Sequence, residues 1–373
     1  MNKKIISVLV FLLVLSLLGQ SLTVMASEPV DRRELSYEES LELALSSSRE
    51  LRIQDIEVRR ADDIRERAAD QYKYVNPMLP QGLYEEADYQ TTIGLWQADI
   101  GARMAREELD VKIDQIAYQV RQQYNELVRI NKQIETAKTA YEVAQKEFDL
   151  NVLKLEHGMN SRYDVQSEQR KLNEQKEQVD LLKEQYISEM VKFRDLIGGS
   201  PSVEYVLTDE PAWNPVEDFN INRHVQWVRN NSVSAWMAKQ QIQLSEIEVK
   251  MYDDGHTIGM LRNPVPKSAK RLETQQAELS AEETIDQLEL NTRNLYHSIK
   301  QIQKQKSILE SEREQSEQDL AMMELRLELG LVTPLEVEQL ETLVQQKEYN
   351  IAELTLQHQT TVRLLDKPWA ASR

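Results

Sequence analysis

Glycine and proline, ten of each in 373 residues, are confined to a few places in this chain. Neither occurs in residues 30–76, 102–157, 159–197, 216–254, 267–329 or 335–367. Inside a helix Pro costs ~3 kcal/mol and Gly ~1 kcal/mol, so runs of this length without either predict six helices. A fold that is mainly all-α, with minimal β, follows. Aromatics at 6% and abundant Glu, Gln, Leu and Lys suit long helices better than a compact α/β core.

Periodicity says how the helices pack. Ile113, Val120, Leu127, Ile134, Tyr141, Phe148 and Leu155 recur every seven residues, as do Leu288, Leu295, Ile302, Leu309, Ser316 and Met323. A seven-residue row is a coiled-coil seam. Gln123, Asn151, Lys306 and Ser316 interrupt the seams, and polar seam residues set register at some cost in stability. One long helix is expected at about 95–155 and a second at about 267–329, each a rod of roughly 90 Å at ~1.5 Å per residue. Ser36 ahead of Glu39 and Thr333 ahead of Pro334 are helix-start patterns, and Gly198-Gly199 after Ile197 is a stop.

The chain opens with Lys3 and Lys4, an apolar run from Ile5 to Leu18 and small residues ending at Ala26, the pattern of a cleaved signal peptide over 1–26. An uncleaved N-terminal anchor is the competing reading, and either one places the bulk of the protein outside the cytoplasm. Formal charge is −18, and losing the signal removes two lysines and no acid. So acidic a chain argues against nucleic acid as a partner. The absence of Cys excludes disulfides, thiolate metal sites, a cysteine nucleophile and a lipoprotein anchor.

A shift of 172 superposes Leu155–Gly158 on Leu327–Gly330, and Val165, Leu172 and Val179 on Val337, Val344 and Ile351. A shift of 184 brings Leu35-Ser36 onto Phe219-Asn220 and Ser46–Ser48 onto Asn230–Ser232. The mature chain is thus two copies of one unit, each a long antiparallel helical hairpin. The first repeat covers 27–200 with its turn at 156–161. A linker follows at 201–217, and the second repeat covers 218–373 with its turn at 330–333.

These features resemble the TolC-like outer-membrane efflux proteins over nearly the whole mature length. The similarity rests on Leu35-Ser36-Tyr37-Glu38-Glu39 at the first helix, on Ser48-Arg49-Glu50-Leu51, and on two turn signatures. The signatures run from Gly158 to Gln166 and from Gly330 to Val337. The resemblance implies a homotrimer closing a helical barrel around a conduit for export or efflux. It also implies a tip formed by the hairpin turns that docks with a periplasmic adaptor and an inner-membrane pump. Acids after the turns would line the aperture. Glu336 matches the first acidic position and Asp164 its counterpart in the first repeat. Gln339 replaces the family's second acid. Carboxylates crowded at such a tip would repel one another and have raised pKa values. From the residues alone, Asp164 and Glu336 equally suit a first-turn role against the helix dipole.

One departure from the family stands out. Residues 75–94 hold two short strands at most, with Tyr89–Ile93 the best stretch, and 253–267 contains Pro264 and Pro266. A membrane strand needs about 9–11 residues, so a reduced or absent β-barrel is expected. The competing function is a coiled-coil envelope scaffold without pore activity. Location is the cell envelope: outer membrane, periplasm or cell surface, depending on the organism. His157, His224, His256, His297 and His358 form no metal spacing, and Asp253-Asp254-Gly255 reads as a turn. His358 falls on a seam, where packing is its role. No catalytic motif is present, so an enzyme is not expected, and neither is a cofactor.

Overall fold

The computed structural model describes residues 31–74, 78, 81–253 and 266–371. The segment 1–26 expected as a signal peptide, His256, and Asp254 and Gly255 of the expected turn lie outside them. The chain runs β1 (Asp31–Leu35), α1 (Tyr37–Ser47), α2 (Arg49–Lys73), α3 (Gln81–Glu156), α4 (Arg162–Leu196), β2 (Val203–Leu207), α5 (Ile221–Asn231), α6 (Val233–Asp253), α7 (Lys267–Glu328) and α8 (Pro334–Asp366), and ends in a 3₁₀ turn at Pro368–Ala371. Among the described residues no helix is long and apolar enough to cross a membrane.

The eight helices described exceed the six expected because two long runs are broken without Gly or Pro. At Ser48 the chain leaves helical geometry, and the Ser48 hydroxyl caps α2 by accepting from Leu51 N at 3.2 Å. At Ser232, its equivalent under the 184 shift, α5 ends and α6 begins, with the Ser232 hydroxyl accepting from Ala235 N at 3.5 Å. A serine side chain offers the backbone a competing partner, so it can end one helix and start the next. The starts of α1 and α5 also correspond, capped by Ser36 and Asn220.

The first long helix departs from its expected span. It begins at Gln81 rather than near 95 and runs 76 residues, about 114 Å at ~1.5 Å per residue. Tyr89–Ile93 is helical, not strand, and α3 passes through Gly82, Gly94 and Gly101. Packing offsets the glycine cost. Ile93, Ala102 and Ala105 are buried, and α2 runs antiparallel alongside. Arg65 reaches Asp99 at 2.7 Å, Arg106 pairs with Asp62, and Gln54 donates to the Ala105 carbonyl at 3.1 Å. The second long helix, 267–328, lies where periodicity put it. The join between α2 and α3 has seven residues (74–80) and that between α6 and α7 has 13 (254–266). One spanning strand needs about 9–11.

Helices α3 and α4 form one hairpin and α7 and α8 the other, and α3 against α8 joins them. Asn125, buried, donates to the Leu356 carbonyl at 3.3 Å and to Thr360 at 3.1 Å. Arg129 donates to Tyr349 Oη at 3.1 Å, and Lys367 and Trp369 both meet Asp114. The main core lies midway along α3, where Val120, Tyr124 and Leu127 meet Leu35, Tyr37, Phe193 and Ile197. There β1 and β2 pair in parallel, Asp31 opposite Val203 through Leu35 opposite Leu207. That offset is again 172, so β2, inside the 201–217 linker, is the counterpart of β1, and the two lie side by side. Tyr124 Oη donates to the Leu35 carbonyl at 3.1 Å and accepts from Asp209 N at 3.0 Å, fixing the strand pair to α3.

The linker between β2 and α5 lies over the second hairpin. Gln359 donates to the Ala212 carbonyl at 2.8 Å, Gln303 to the Val216 carbonyl at 3.0 Å, and Lys300 meets Asp218 at 2.6 Å. Trp213 packs on His358, which is 1% exposed. Lys306, an interrupting seam residue, is buried beside them with its Nζ 4.5 Å from the Trp213 ring centre.

Candidate functional site at the hairpin tips

Both hairpins turn by the same device. Gly158 has φ +74° and Gly330 φ +69°, the left-handed region that favours glycine. Gly158 N donates to the Leu155 carbonyl at 2.9 Å and Met159 N to the Lys154 carbonyl at 2.8 Å. Gly330 N and Leu331 N repeat the pattern on Leu327 and Arg326, both at 2.9 Å. These paired bonds are a Schellman stop, which satisfies the last carbonyls of each long helix. A Cβ at either glycine would meet nothing within 4 Å, so backbone conformation, not space, requires the residue.

The return helices start with matching capping boxes. Asp164 Oδ2 accepts from Ser161 N at 2.9 Å and Ser161 Oγ at 2.7 Å, while Ser161 Oγ accepts from Asp164 N at 3.2 Å. Glu336 Oε2 accepts from Thr333 N at 2.7 Å and Thr333 Oγ1 at 2.9 Å. Both carboxyls therefore titrate below their ordinary values. The Ser161 hydroxyl and then its backbone N–H hold Asp164 down, and the Thr333 backbone and then its hydroxyl hold Glu336 down. The raised values expected of crowded carboxylates do not occur in the chain by itself, because hydrogen bonds to the ionised form dominate at these exposed positions.

Gln339 does not stand alone at its position. It donates from Nε2 to Glu147 on α3, and one residue earlier Glu338 meets Lys146 at 2.6 Å. These two contacts join the hairpins near the tip, and no motif in the sequence announced them. Glu336 and Gln339 share a groove between α7 and α8 with Asp319, Met322 and Arg326, and Asp164 is not among its lining residues. Around the turns Met159, Tyr163, Leu329 and Leu331 are all at least 66% exposed. Among the described residues no group of three or more His, Asp or Glu side chains could hold a metal.

No protein-family model matches the chain, and no curated protein sequence does. Solved structures do. The outer-membrane channel OprN is 14% identical, covers 90% of this chain and 90% of its own, and superposes with a TM-score of 0.67. The CmeC outer-membrane channel of Campylobacter jejuni is 11% identical, with 90% and 85% covered and a TM-score of 0.66. The outer-membrane protein VceC of Vibrio cholerae is 16% identical, with 90% and 94% covered and a TM-score of 0.56. All three are TolC-family channels, so the TolC-like helical fold expected from the turn signatures is the fold observed.

Proposed function

We infer that this chain is a non-enzymatic, exported subunit of an envelope conduit for efflux or export, acting as a homotrimer. Repeats 27–200 and 218–373, joined by 201–217, would each supply one hairpin to a helical barrel. The supporting observation is apolar surface left exposed on the hairpins. Leu272, Leu279, Ile308, Met322 and Leu325 on α7 and Leu181 and Val191 on α4 are more than half exposed. Rows of this kind on long rods call for neighbouring subunits.

In this assembly the turns form the tip. Met159, Tyr163, Leu329 and Leu331 offer an apolar rim for a periplasmic adaptor that connects to an inner-membrane pump. Asp164 and Glu336 would stand at the aperture, ionised because their caps hold them so. Gln339 leaves the second acidic position neutral. Neither join, 74–80 or 254–266, is long enough for two spanning strands, which favours a conduit built from helices with a reduced or absent membrane barrel.

Light scattering with negative-stain electron microscopy tests the reading. A hollow, threefold particle three times the chain's mass is expected. A stable monomer across protein concentrations overturns it.

A further inference from the structure

A cavity of about 700 Å³ lies between α3, α4 and β2, away from the hairpin tips. Its acids are engaged: Glu204 pairs with Arg32 at 3.3 Å, and Glu210 with Lys132 at 2.9 Å. Asp209 accepts from Tyr37 N at 2.9 Å, and Glu135 from Asn131 at 3.4 Å. Two of its cations have no such partner. Lys138 and Arg194 line the cavity and make no ion pair among the described residues. The Arg194 Nε is buried with no hydrogen-bond acceptor. A buried donor without an acceptor is uncommon in a folded protein and marks a place where an acceptor belongs.

The rest of the wall narrows the chemistry. Leu127, Val128, Ile187 and Met190 give it an apolar side. A planar guanidinium matches a carboxylate or a phosphate, but the carboxylates of Glu135, Asp209 and Glu210 in the same cavity disfavour a dianion. The volume is that of a small-molecule site.

We propose that this cavity binds a small amphiphilic monocarboxylate, its head on the Arg194 guanidinium with Lys138 beside it and its apolar body along Leu127, Val128, Ile187 and Met190. Titration calorimetry of the full mature chain with sodium octanoate below its micellar range is the test. One site per chain is expected. The variant Arg194→Gln weakens it by about tenfold, the loss of a charge-assisted hydrogen bond, and Lys138→Gln weakens it by about threefold. Neither acetate, which lacks the body, nor 1-octanol, which lacks the charge, binds comparably. Circular dichroism checks that each variant folds, and Arg194→Lys, which keeps the charge but not Nε, replaces Arg194→Gln if that variant does not.

Equal affinity in wild type and the Arg194 variant, equal binding of 1-octanol, or no octanoate binding overturns the assignment. Absent binding together with a change in oligomer size in Arg194→Gln would instead assign the missing acceptor to a neighbouring subunit. Octanoate binding is read on the chain itself, so its failure and that of the conduit reading are distinguishable.

Discussion

The indole of Trp213 lies against the imidazole of His358, ring centres 4.2 Å apart, and this contact seats the inter-repeat linker on the second hairpin. Burial lowers the pKa of His358, and Lys306 nearby lowers it further. The folded chain therefore keeps His358 neutral at pH values where the unfolded chain, with an ordinary histidine pKa of about 6.5, takes up a proton. Stability should be fully present above that pH and decline as pH falls toward the lowered folded value. Thermal melts at pH 7.5 and 5.5 check the sign. Wild type loses melting temperature over this interval, and His358→Phe loses less.

The two capping boxes make a second test. Ser161→Ala and Thr333→Ala each remove a cap and should each cost about 1 kcal/mol. Without these hydroxyls, Asp164 and Glu336 should titrate closer to ordinary carboxylates, which carbon-detected NMR titration can follow. Their depressed folded values also mean that the stabilisation is present at neutral pH and lost as pH falls through those values.

Glycine to alanine should act with opposite sign at two pairs of positions. Gly94 and Gly101 lie inside α3, and a Cβ at either meets nothing within 4 Å, so alanine should stabilise by roughly 0.5–1 kcal/mol each. Gly158 and Gly330 hold positive φ, where alanine should destabilise by about 1–2 kcal/mol. Urea denaturation of the four single variants decides it, and a uniform sign would contradict the dependence on backbone conformation.

Near the tip, Gln339→Glu places a carboxylate against Glu147 and should weaken the contact between α3 and α8 by up to about 1 kcal/mol, the scale of exposed charge pairs. The companion change Glu147→Gln should restore it. A double-mutant cycle in urea measures the coupling, and an additive pair would sever the link between these residues.

Where the sequence was legible, the physics was local or periodic. Helix breakers, seven-residue rows and the offset of 172 placed both hairpins, and Ser36–Glu39 and Thr333-Pro334 could be read as helix starts because such caps span only two to four residues. The breaks at Ser48 and Ser232 were written as well, but serine caps some helices and sits within others, so the letter alone does not choose. Packing chose elsewhere. Gly94 and Gly101 punctuate a sequence, yet α2 lies along that segment and carries α3 through both. The pairing of β1 with β2, the meeting of Gln339 with Glu147 and the burial of His358 under Trp213 all join residues far apart in the chain. Helical propensity and heptad spacing are properties of a short window, and the sequence determines them unaided. Which windows come to lie against one another depends on the closure of both hairpins, and that was decided only in three dimensions.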